Sequence, residues 1–420
     1  MPPKAPKADR RSPLPASPGP PHVEPNLRRL RAHLAVSECG SVQRAAEKLH
    51  LTQSSLTRAV QEIERQLGLL LYERTRRGMI PTEFGQILSA RVCRALAHLD
   101  AVEKELLARE GVGRHPTGFS GKVTHRQLSA LIGIADHQTE TGAAQYLDLS
   151  QPAVTQALRD LERLVGEALF VRTTRGMIPT PSGEIVLRRA RLAFSEIAAA
   201  GSDIAARLGV ITGRVVVGTL PLAGSLLMPR AINLLLREHP KLQVAVVEGT
   251  YQTLISGLLC GDIDMIVGGL NHPALSEVVQ DYLFQDMLSV VVRKDHALAA
   301  KKNLSLADLA GAQWVVPRNG TPARHCFDDV IAAAGLRLGA NPIESDTLLT
   351  VRALLMESDR VALISRRQSR IEESAGLLTV LPINIDRSVL PVGIHMRADA
   401  LPSIGVQALV RHLRVVTAEM

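Results

Sequence analysis

Aromatic residues are scarce in this 420-residue sequence: one Trp, four Tyr and six Phe, 3% of the chain. Any cores it builds are therefore aliphatic, and a 46% apolar content supplies ample material for them. Cysteine is scarce too. Cys39, Cys93, Cys260 and Cys326 are scattered, with no Cys-x-x-Cys pair and no metal-ligand spacing. That excludes a disulfide-stapled scaffold and reads as reduced thiols in a cytoplasmic protein. No apolar run reaches the ~20 residues needed to span a bilayer, so no membrane partner is expected. The N-terminus is Pro-rich without an apolar h-region, so no secretory signal is expected there. No nucleophile–base pair or metal-ligand cluster stands out, and His239, His296 and His325 read as ordinary surface or core histidines. We expect no catalytic residues, no metal and no cofactor.

Charge, by contrast, is unevenly placed. The net charge is +8, yet from Arg214 onward about 20 basic and about 20 acidic residues cancel. The excess lies wholly in the first half. A basic half joined to a neutral one suits a DNA-binding part coupled to a part with another task.

The chain is organised around Ala143–Thr180, AAQYLDLSQPAVTQALRDLERLVGEALFVRTTRGMIPT. Ala143 and Ala144 allow one helix to pack closely on the next. Leu147–Leu149 make a turn, and Ser150 can cap the following helix through its hydroxyl. Val154, Leu158, Leu161 and Val165 then recur at helical spacing, with Gln151, Thr155, Gln156 and Arg159 on the other side. Gly166 stops this helix, and a hairpin-like segment carries Arg172 and Arg175. Helix, turn, polar-faced helix and basic wing make a winged helix-turn-helix. The same pattern occurs about 98 residues earlier in Ala45–Thr82. Over Ser41–Thr82 against Thr139–Thr180, roughly 19 of 42 positions are identical without a gap, which marks an internal duplication.

The expected order follows. Residues 1–25 form a disordered basic, Pro-rich tail. Residues 26–82 are the first winged unit and 83–110 a long amphipathic helix. Residues 111–121 are a turn-rich linker, 122–180 the second winged unit, and 181–211 another long helix. Each long helix needs a partner for its apolar stripe, and the same helix of another subunit would serve. From residue 212 to 420, short β-branched runs alternate with amphipathic helices. Val215–Gly218, Leu242–Glu248, Ile263–Val267, Leu288–Val292 and Val361–Ser365 are among the expected strands, and Pro221–His239 an expected helix. That alternation implies a mostly parallel sheet with helices on both faces, divided into two lobes.

Three stretches, AAQYLDLSQPAVTQALRDLERLVGEALFVRTTRGMIPTPSGE, GRVVVGTLPLAGSLLMPRAINLLLREHPKLQVAVVEG and LISGLLCGDIDMIVGGL, give the chain its resemblance to the LysR-type transcriptional regulators. The resemblance covers essentially Thr124–Val416, and the extra N-terminal unit departs from it. It implies a multidomain protein: all-α winged helix-turn-helix domains with long linker helices, then an α/β two-lobed effector domain of periplasmic-binding-protein type. The implied partners are double-stranded DNA, a small-molecule effector (a sugar or an aromatic or other carboxylic acid), further copies in a homodimer or homotetramer, and RNA polymerase.

The site residues follow from chemistry at helix ends. In the second unit Gln151, Pro152, Ala153 and Gln156 open the recognition helix, where free amides face phosphate and short side chains permit entry to the major groove. Gln pairs bidentately with adenine and an Ala methyl meets a thymine methyl. Thr155 and Arg159 suit phosphates, which set register, and Arg172 and Arg175 on the wing suit backbone or minor groove. In the first unit the equivalents are Gln53, Ser54, Ser55, Thr57, Arg58 and Gln61, with Arg74 and Arg77 on the wing. The differences between the sets imply that the two units read different bases, provided that the first binds DNA instead of serving packing. The effector site belongs at the carboxyl ends of parallel strands, between the lobes. That rule selects Thr219, Leu220, Pro221, Thr250, Tyr251, Gly268 and Gly269 in one lobe. In the other it selects Gly320, Thr321, Pro322, Ser345 and Thr347. By resemblance, Thr219 and Thr321 come first as hydroxyl contacts, and Arg318 or Arg324 are candidates to neutralise a carboxylate.

Two rival readings remain at this point. One is an architectural protein that bridges DNA sites without effector control. The other is an enzyme that has acquired DNA-binding modules.

Overall fold

The computed structural model describes residues 21–75, 78–109, 117–221, 226–270, 274–339, 341–386 and 388–419. The first winged unit comprises α1 (Leu27–Cys39), α2 (Val42–Leu49), α3 (Gln53–Leu67) and the hairpin β1 (Tyr72–Thr75) and β2 (Gly78–Pro81). It leads into the long helix α4 (Glu83–Leu107). The second unit opens with one helical turn, α5 (Phe119–Lys122). Then come α6 (His125–His137), α7 (Glu140–Tyr146), α8 (Gln151–Val165), β3 (Phe170–Thr173), β4 (Gly176–Pro179) and the long α9 (Pro181–Arg207).

The two units repeat each other bond by bond. Thr52 and Ser150 cap α3 and α8 by accepting from the amides of Ser55 and Ala153. Gly68 and Gly166 end those helices in left-handed geometry, at φ of 68° and 88°, where glycine carries no Cβ penalty. Glu64 and Glu162 accept from the amides of Leu71 and Leu169. Thr82 and Thr180 cap α4 and α9. At one point the cores differ. In the first unit the buried Tyr72 Oη lies 2.8 Å from His33 Nδ1, and Ser89 Oγ is 3.0 Å from both His33 Nε2 and Ser37 Oγ. The corresponding second-unit positions are apolar: Leu131, Phe170, Leu187 and Ala135.

The long helices cover each other's apolar stripes. Among the described residues α4 packs on α9 of the same chain, burying Leu88, Val92, Ala95 and Leu99 together with Val186, Ala190, Ala193 and Ile197. Both winged units and both long helices share one hydrophobic core. This corrects the expectation of an intersubunit partner for α4: the duplication supplies the missing apolar face within the chain. The expected linker and tail are also shorter than composition suggests. Phe119 is fully buried and its amide donates to Glu103 of α4 at 2.5 Å, so the end of the 111–121 segment is ordered against α4 and is no free linker. Val23 is buried and Glu24 pairs with Arg29, so the expected disorder does not extend to residues 23–25.

The C-terminal domain comprises β5 (Gly213–Thr219), α10 (Leu227–Glu238), β6 (Leu242–Glu248), α11 (Tyr251–Cys260), β7 (Met265–Gly269) and β8 (Val278–Arg293). It continues with β9 (Trp314–Val316), α12 (Pro322–Ala333), β10 (Ile343–Glu344), α13 (Leu348–Met356) and β11 (Val361–Ser365). Last come α14 (Arg370–Ser374), β12 (Leu378–Val380), β13 (Val389–Arg397) and α15 (Ile404–Ala418). The strand order is β10-β9-β11-β8-β13-β7-β5-β6, with β12 pairing β8.

The sheet is mixed, not mostly parallel. β5, β6 and β7 form one parallel set, and β9, β10 and β11 another. Antiparallel β8 and β13 join them. β8 runs for 16 residues: Val278–Met287 pairs with β13, and Leu288–Val291 pairs with β11. Only its apolar second half was legible as a strand. The helix expected over Pro221–His239 is described only from Leu227.

Candidate nucleic-acid interface and effector cleft

The polar ends of α3 and α8 are turned outward. Leu56, Val60 and Ile63 of α3, and Val154, Leu158 and Leu161 of α8, are buried beneath them. On the second unit Gln151, Pro152, Gln156, Arg159, Arg172 and Arg175 are exposed, and Ala153 and Thr155 half-buried. On the first, Gln53, Ser54, Ser55, Arg58, Gln61 and Arg74 are exposed and Thr57 half-buried, while Arg77 lies outside the described residues. The side-chain caps consume one first-turn amide in each helix, which leaves those of Gln53 and Ser54 in α3, and of Gln151 alone in α8 because Pro152 has no N–H, free for an incoming anion.

Acidic neighbours hold part of the second face in place. Glu140 Oε2 accepts from Arg172 at 3.3 Å and from Gln151 Nε2 at 3.5 Å. Asp160 accepts from Gln156 Nε2 at 2.9 Å and pairs with Arg163 at 2.9 Å. The first face has Val42 where the second has Glu140, so its Gln53 has no such tether.

The C-terminal domain is bolted to the half that carries the winged units. Arg191 on α9 bridges Asp136 of α6 and Asp262 beyond α11. Arg91 on α4 pairs with Glu196 of α9 at 2.7 Å and donates to the Leu401 carbonyl at 2.8 Å. Asp203 of α9 accepts from the amide of Ile404, the first residue of α15, at 3.3 Å. A cavity of about 520 Å³ lies along this junction, lined in part by Phe194, Arg91, Arg397 and Val406.

The carboxyl ends of the two parallel strand sets converge elsewhere. Thr219 and Leu220 are buried at the end of β5, and the amide of Leu220 donates to the Val267 carbonyl at 3.0 Å. Pro221 is exposed, and its carbonyl accepts from Gln368 Nε2 of the other lobe at 2.6 Å. Gly268 leaves room for Leu220, since a Cβ there would overlap it. Gly269 is buried and its carbonyl is 3.2 Å from His395 Nε2. The Tyr251 ring packs edge-on against His395 at 5.9 Å.

Other expected contacts are already engaged. Thr250 caps α11. Thr321 caps α12 and its hydroxyl also donates to the Arg318 carbonyl at 2.8 Å. Arg324 is paired with Asp328 and Glu344, which leaves it poorly placed to neutralise a ligand. Ser345 accepts from the amide of exposed Thr347 at 3.3 Å.

The end of β11 carries what the sequence reading overlooked. Ser365 Oγ donates to the buried Asp286 at 2.6 Å, Arg367 stands 3.6 Å from the same carboxylate, and the Arg367 guanidinium lies 4.8 Å over the Phe284 ring. Burial pushes the Asp286 carboxyl up, against the opposing pull of Ser365, the Met287 amide and Arg367. A cavity of about 380 Å³ opens here between Gln285–Met287 and Arg366, Arg367, Arg370 and Glu373. Its size is that of a small-ligand site and its rim is cationic. The strand-end rule reaches β11 as readily as β5. In the sequence, RRQSR reads as ordinary surface charge.

Comparison with known proteins matches residues 209–418 to the LysR substrate binding domain, and residues 27–86 and 125–184 separately to the bacterial regulatory helix-turn-helix protein of the lysR family. A relative described as HTH-type transcriptional regulator GalR, from Pseudomonas putida, is 36% identical over 396 residues, 94% of this chain and 98% of its own length. The regulator PcaQ of Agrobacterium fabrum is 29% identical over 71% of this chain and 96% of its own. Among solved structures, a full-length OxyR variant of Pseudomonas aeruginosa superposes with a TM-score of 0.55 at 20% identity, over 69% of this chain and 94% of that one. CbnR, a LysR family transcriptional regulator, gives 0.52 at 20% identity, over 70% and 98%. At such identities these two establish the fold.

Proposed function

The chain belongs to the LysR family of bacterial transcriptional regulators, with its helix-turn-helix unit present twice, and we propose that the α8 face reads an operator under control of an anionic small molecule bound between the two C-terminal lobes. Gln151, Gln156 and Ala153 carry the base contacts, Thr155 and Arg159 hold phosphates, and Arg172 and Arg175 of the wing add backbone or minor-groove contacts. Such a protein works in the cytoplasm, where the DNA is.

One observation carries this reading. The exposed helix end and the lobes are joined by α9, through Arg191 to Asp136 and Asp262 and through Asp203 to α15. A helix held to the C-terminal domain by an ion pair at Arg191 and a hydrogen bond at Asp203 lets a movement of the lobes reach the recognition helix. A ligand that binds one lobe arrangement better shifts the population toward it, and the DNA then experiences a different spacing or bend. A passive bridging protein would need no such connection.

The cleft proposed for the effector combines Thr219, Leu220 and Pro221 with Ser365, Arg367 and Gln368, and the Gln368–Pro221 hydrogen bond serves as its latch. Thr250, Tyr251, Gly269, Thr321, Ser345 and Thr347 ring the same strand ends. Three arginines on the rim favour a carboxylate over a neutral sugar. The experiment is a footprint on the DNA flanking the gene, repeated with a panel of aromatic and aliphatic carboxylates. Protection that shifts with one of them supports the reading, and sequence-independent coating insensitive to all of them contradicts it.

A further inference from the structure

We propose that each chain is a covalently fused pair of DNA readers, related by an approximate two-fold axis, that binds two unlike half-sites in inverted orientation without help from a second chain. The inference rests on the reading of the protein as a DNA-binding regulator.

The α4–α9 interface carries the argument. A two-fold interface is self-complementary: if one position contacts a second, the second's counterpart contacts the first's counterpart. The two copies are offset by 98 residues, as 27–86 and 125–184 correspond. Arg91 of α4 pairs with Asp203 of α9 at 2.7 Å. The counterpart of Arg91 is Arg189 and that of Asp203 is Glu105, and Arg189 pairs with Glu105. Arg91 also meets Glu196 at 2.7 Å, while Arg189 meets His98, the counterpart of Glu196, at 3.4 Å. At the helix ends Arg207 pairs with Glu83, and its counterpart Arg109 donates at 2.5 Å to Ser182, the residue after Pro181, which is the counterpart of Glu83. Reciprocal contacts of this kind run α4 and α9 antiparallel about a shared centre. A head-to-tail repeat would place the same residue in two different environments instead.

Two readers related in this way fit a duplex whose own dyad lies between them, which makes the half-sites inverted. The readers are not identical. Gln53 corresponds to Gln151 and Thr57 to Thr155, but Arg58 corresponds to Gln156. Arg suits guanine and Gln suits adenine in the major groove. The half-sites should therefore share the base read by the common Gln and differ, guanine against adenine, at the base read by Arg58 and Gln156.

The test uses the full-length chain and a random-sequence duplex library. Selected duplexes are footprinted with hydroxyl radicals, and the complexes are weighed to count chains per duplex. The expected result is two inverted, unlike half-sites per chain. Arg58→Gln should turn the guanine into adenine, with a roughly 5- to 150-fold change of preference at that position alone. A second arm co-expresses a chain with Gln53→Ala and Arg58→Ala and a chain with Gln151→Ala and Gln156→Ala. If each reader pair lies within one chain, the mixture never protects both halves of a single inverted pair. Restored protection of both halves, one half-site per chain, half-sites in the same orientation, or an unchanged consensus with Arg58→Gln would each overturn the proposal. A wild-type chain that selects one half-site keeps the regulator reading and removes only this inference. A wild-type chain that selects no sequence removes both.

Discussion

Arg91 and Glu196 form a 2.7 Å ion pair across the α4–α9 interface, each side chain only 4% exposed. Arg94 also reaches Glu196, at 2.8 Å, so losing Arg91 leaves that carboxylate one partner and costs less than the ~3–5 kcal/mol of a fully stranded buried charge. Arg91→Ala should still lower the urea midpoint, because Asp203 loses its guanidinium partner as well. The related Arg189–Glu105 pair has side chains 20% and 23% exposed, and Arg189→Ala should cost closer to ~1 kcal/mol. Urea denaturation of both variants checks the ranking. Equal losses would mean that burial does not set the cost here.

Acid should loosen the first winged unit before the second. Burial holds the His33 imidazole neutral, with its pKa lowered from 6.5 to about 4. The unfolded chain takes up that proton near 6.5 and the native ring only near 4, so the unfolded state binds more protons between those values. Stability contributed by the neutral ring is thus full above pH 6.5 and falls through the window down to about 4, by roughly 3 kcal/mol at about 1.4 kcal/mol per unit. The second unit has Leu131 at that position. Hydrogen exchange of the two units at pH 7 and pH 5 should show protection lost in α1 and α4 ahead of α6. Replacing His33, Ser37, Tyr72 and Ser89 with the second unit's residues should remove the difference.

Phosphate and base contacts separate by their salt behaviour. Arg159→Ala should weaken binding about equally on all sequences and reduce the slope of affinity against salt by about one. Gln156→Ala should leave that slope nearly unchanged and relax preference at one base pair, by ~1–3 kcal/mol. Fluorescence anisotropy at several salt concentrations on matched and mismatched duplexes distinguishes the two.

Much of this architecture could be read directly from the residues. The duplication is visible because Arg77–Thr82 recurs as Arg175–Thr180, and the caps Thr52 and Ser150 precede strictly periodic helices. What could not be read is who covers what. The apolar stripe of α4 demands a partner, but periodicity does not say whether the partner lies on the same chain. The first half of β8, Val278–Met287, is not legible as a strand because Gln280, Asp281, Gln285 and Asp286 interrupt its apolar residues, and it is pairing with β13, not hydropathy, that makes it one. At the cleft the same limit applies. Gln368 and Arg367 look like surface polar groups until the fold brings the end of β11 opposite Pro221.

Effector affinity should depend on the cationic rim of the cleft. Arg367→Ala removes one cationic rim group, and a hydrogen-bonded charge contact is worth ~1.5–3 kcal/mol, so affinity for a stabilising carboxylate should fall roughly 10- to 150-fold. Operator affinity without ligand should stay within a few-fold. Thermal shift with the carboxylate panel measures the first, and anisotropy the second. Thermal shifts that persist undiminished in the variant would move the effector site away from this cleft.

The most direct measurement is a hydroxyl-radical footprint of the full chain on the DNA flanking its own gene, wild type beside Gln151→Ala, Gln156→Ala. The account predicts a discrete protected site with the wild type and its loss, or at least a hundredfold higher concentration for the same protection, with the double variant. Protection of the same site at the same concentration by both proteins would contradict it.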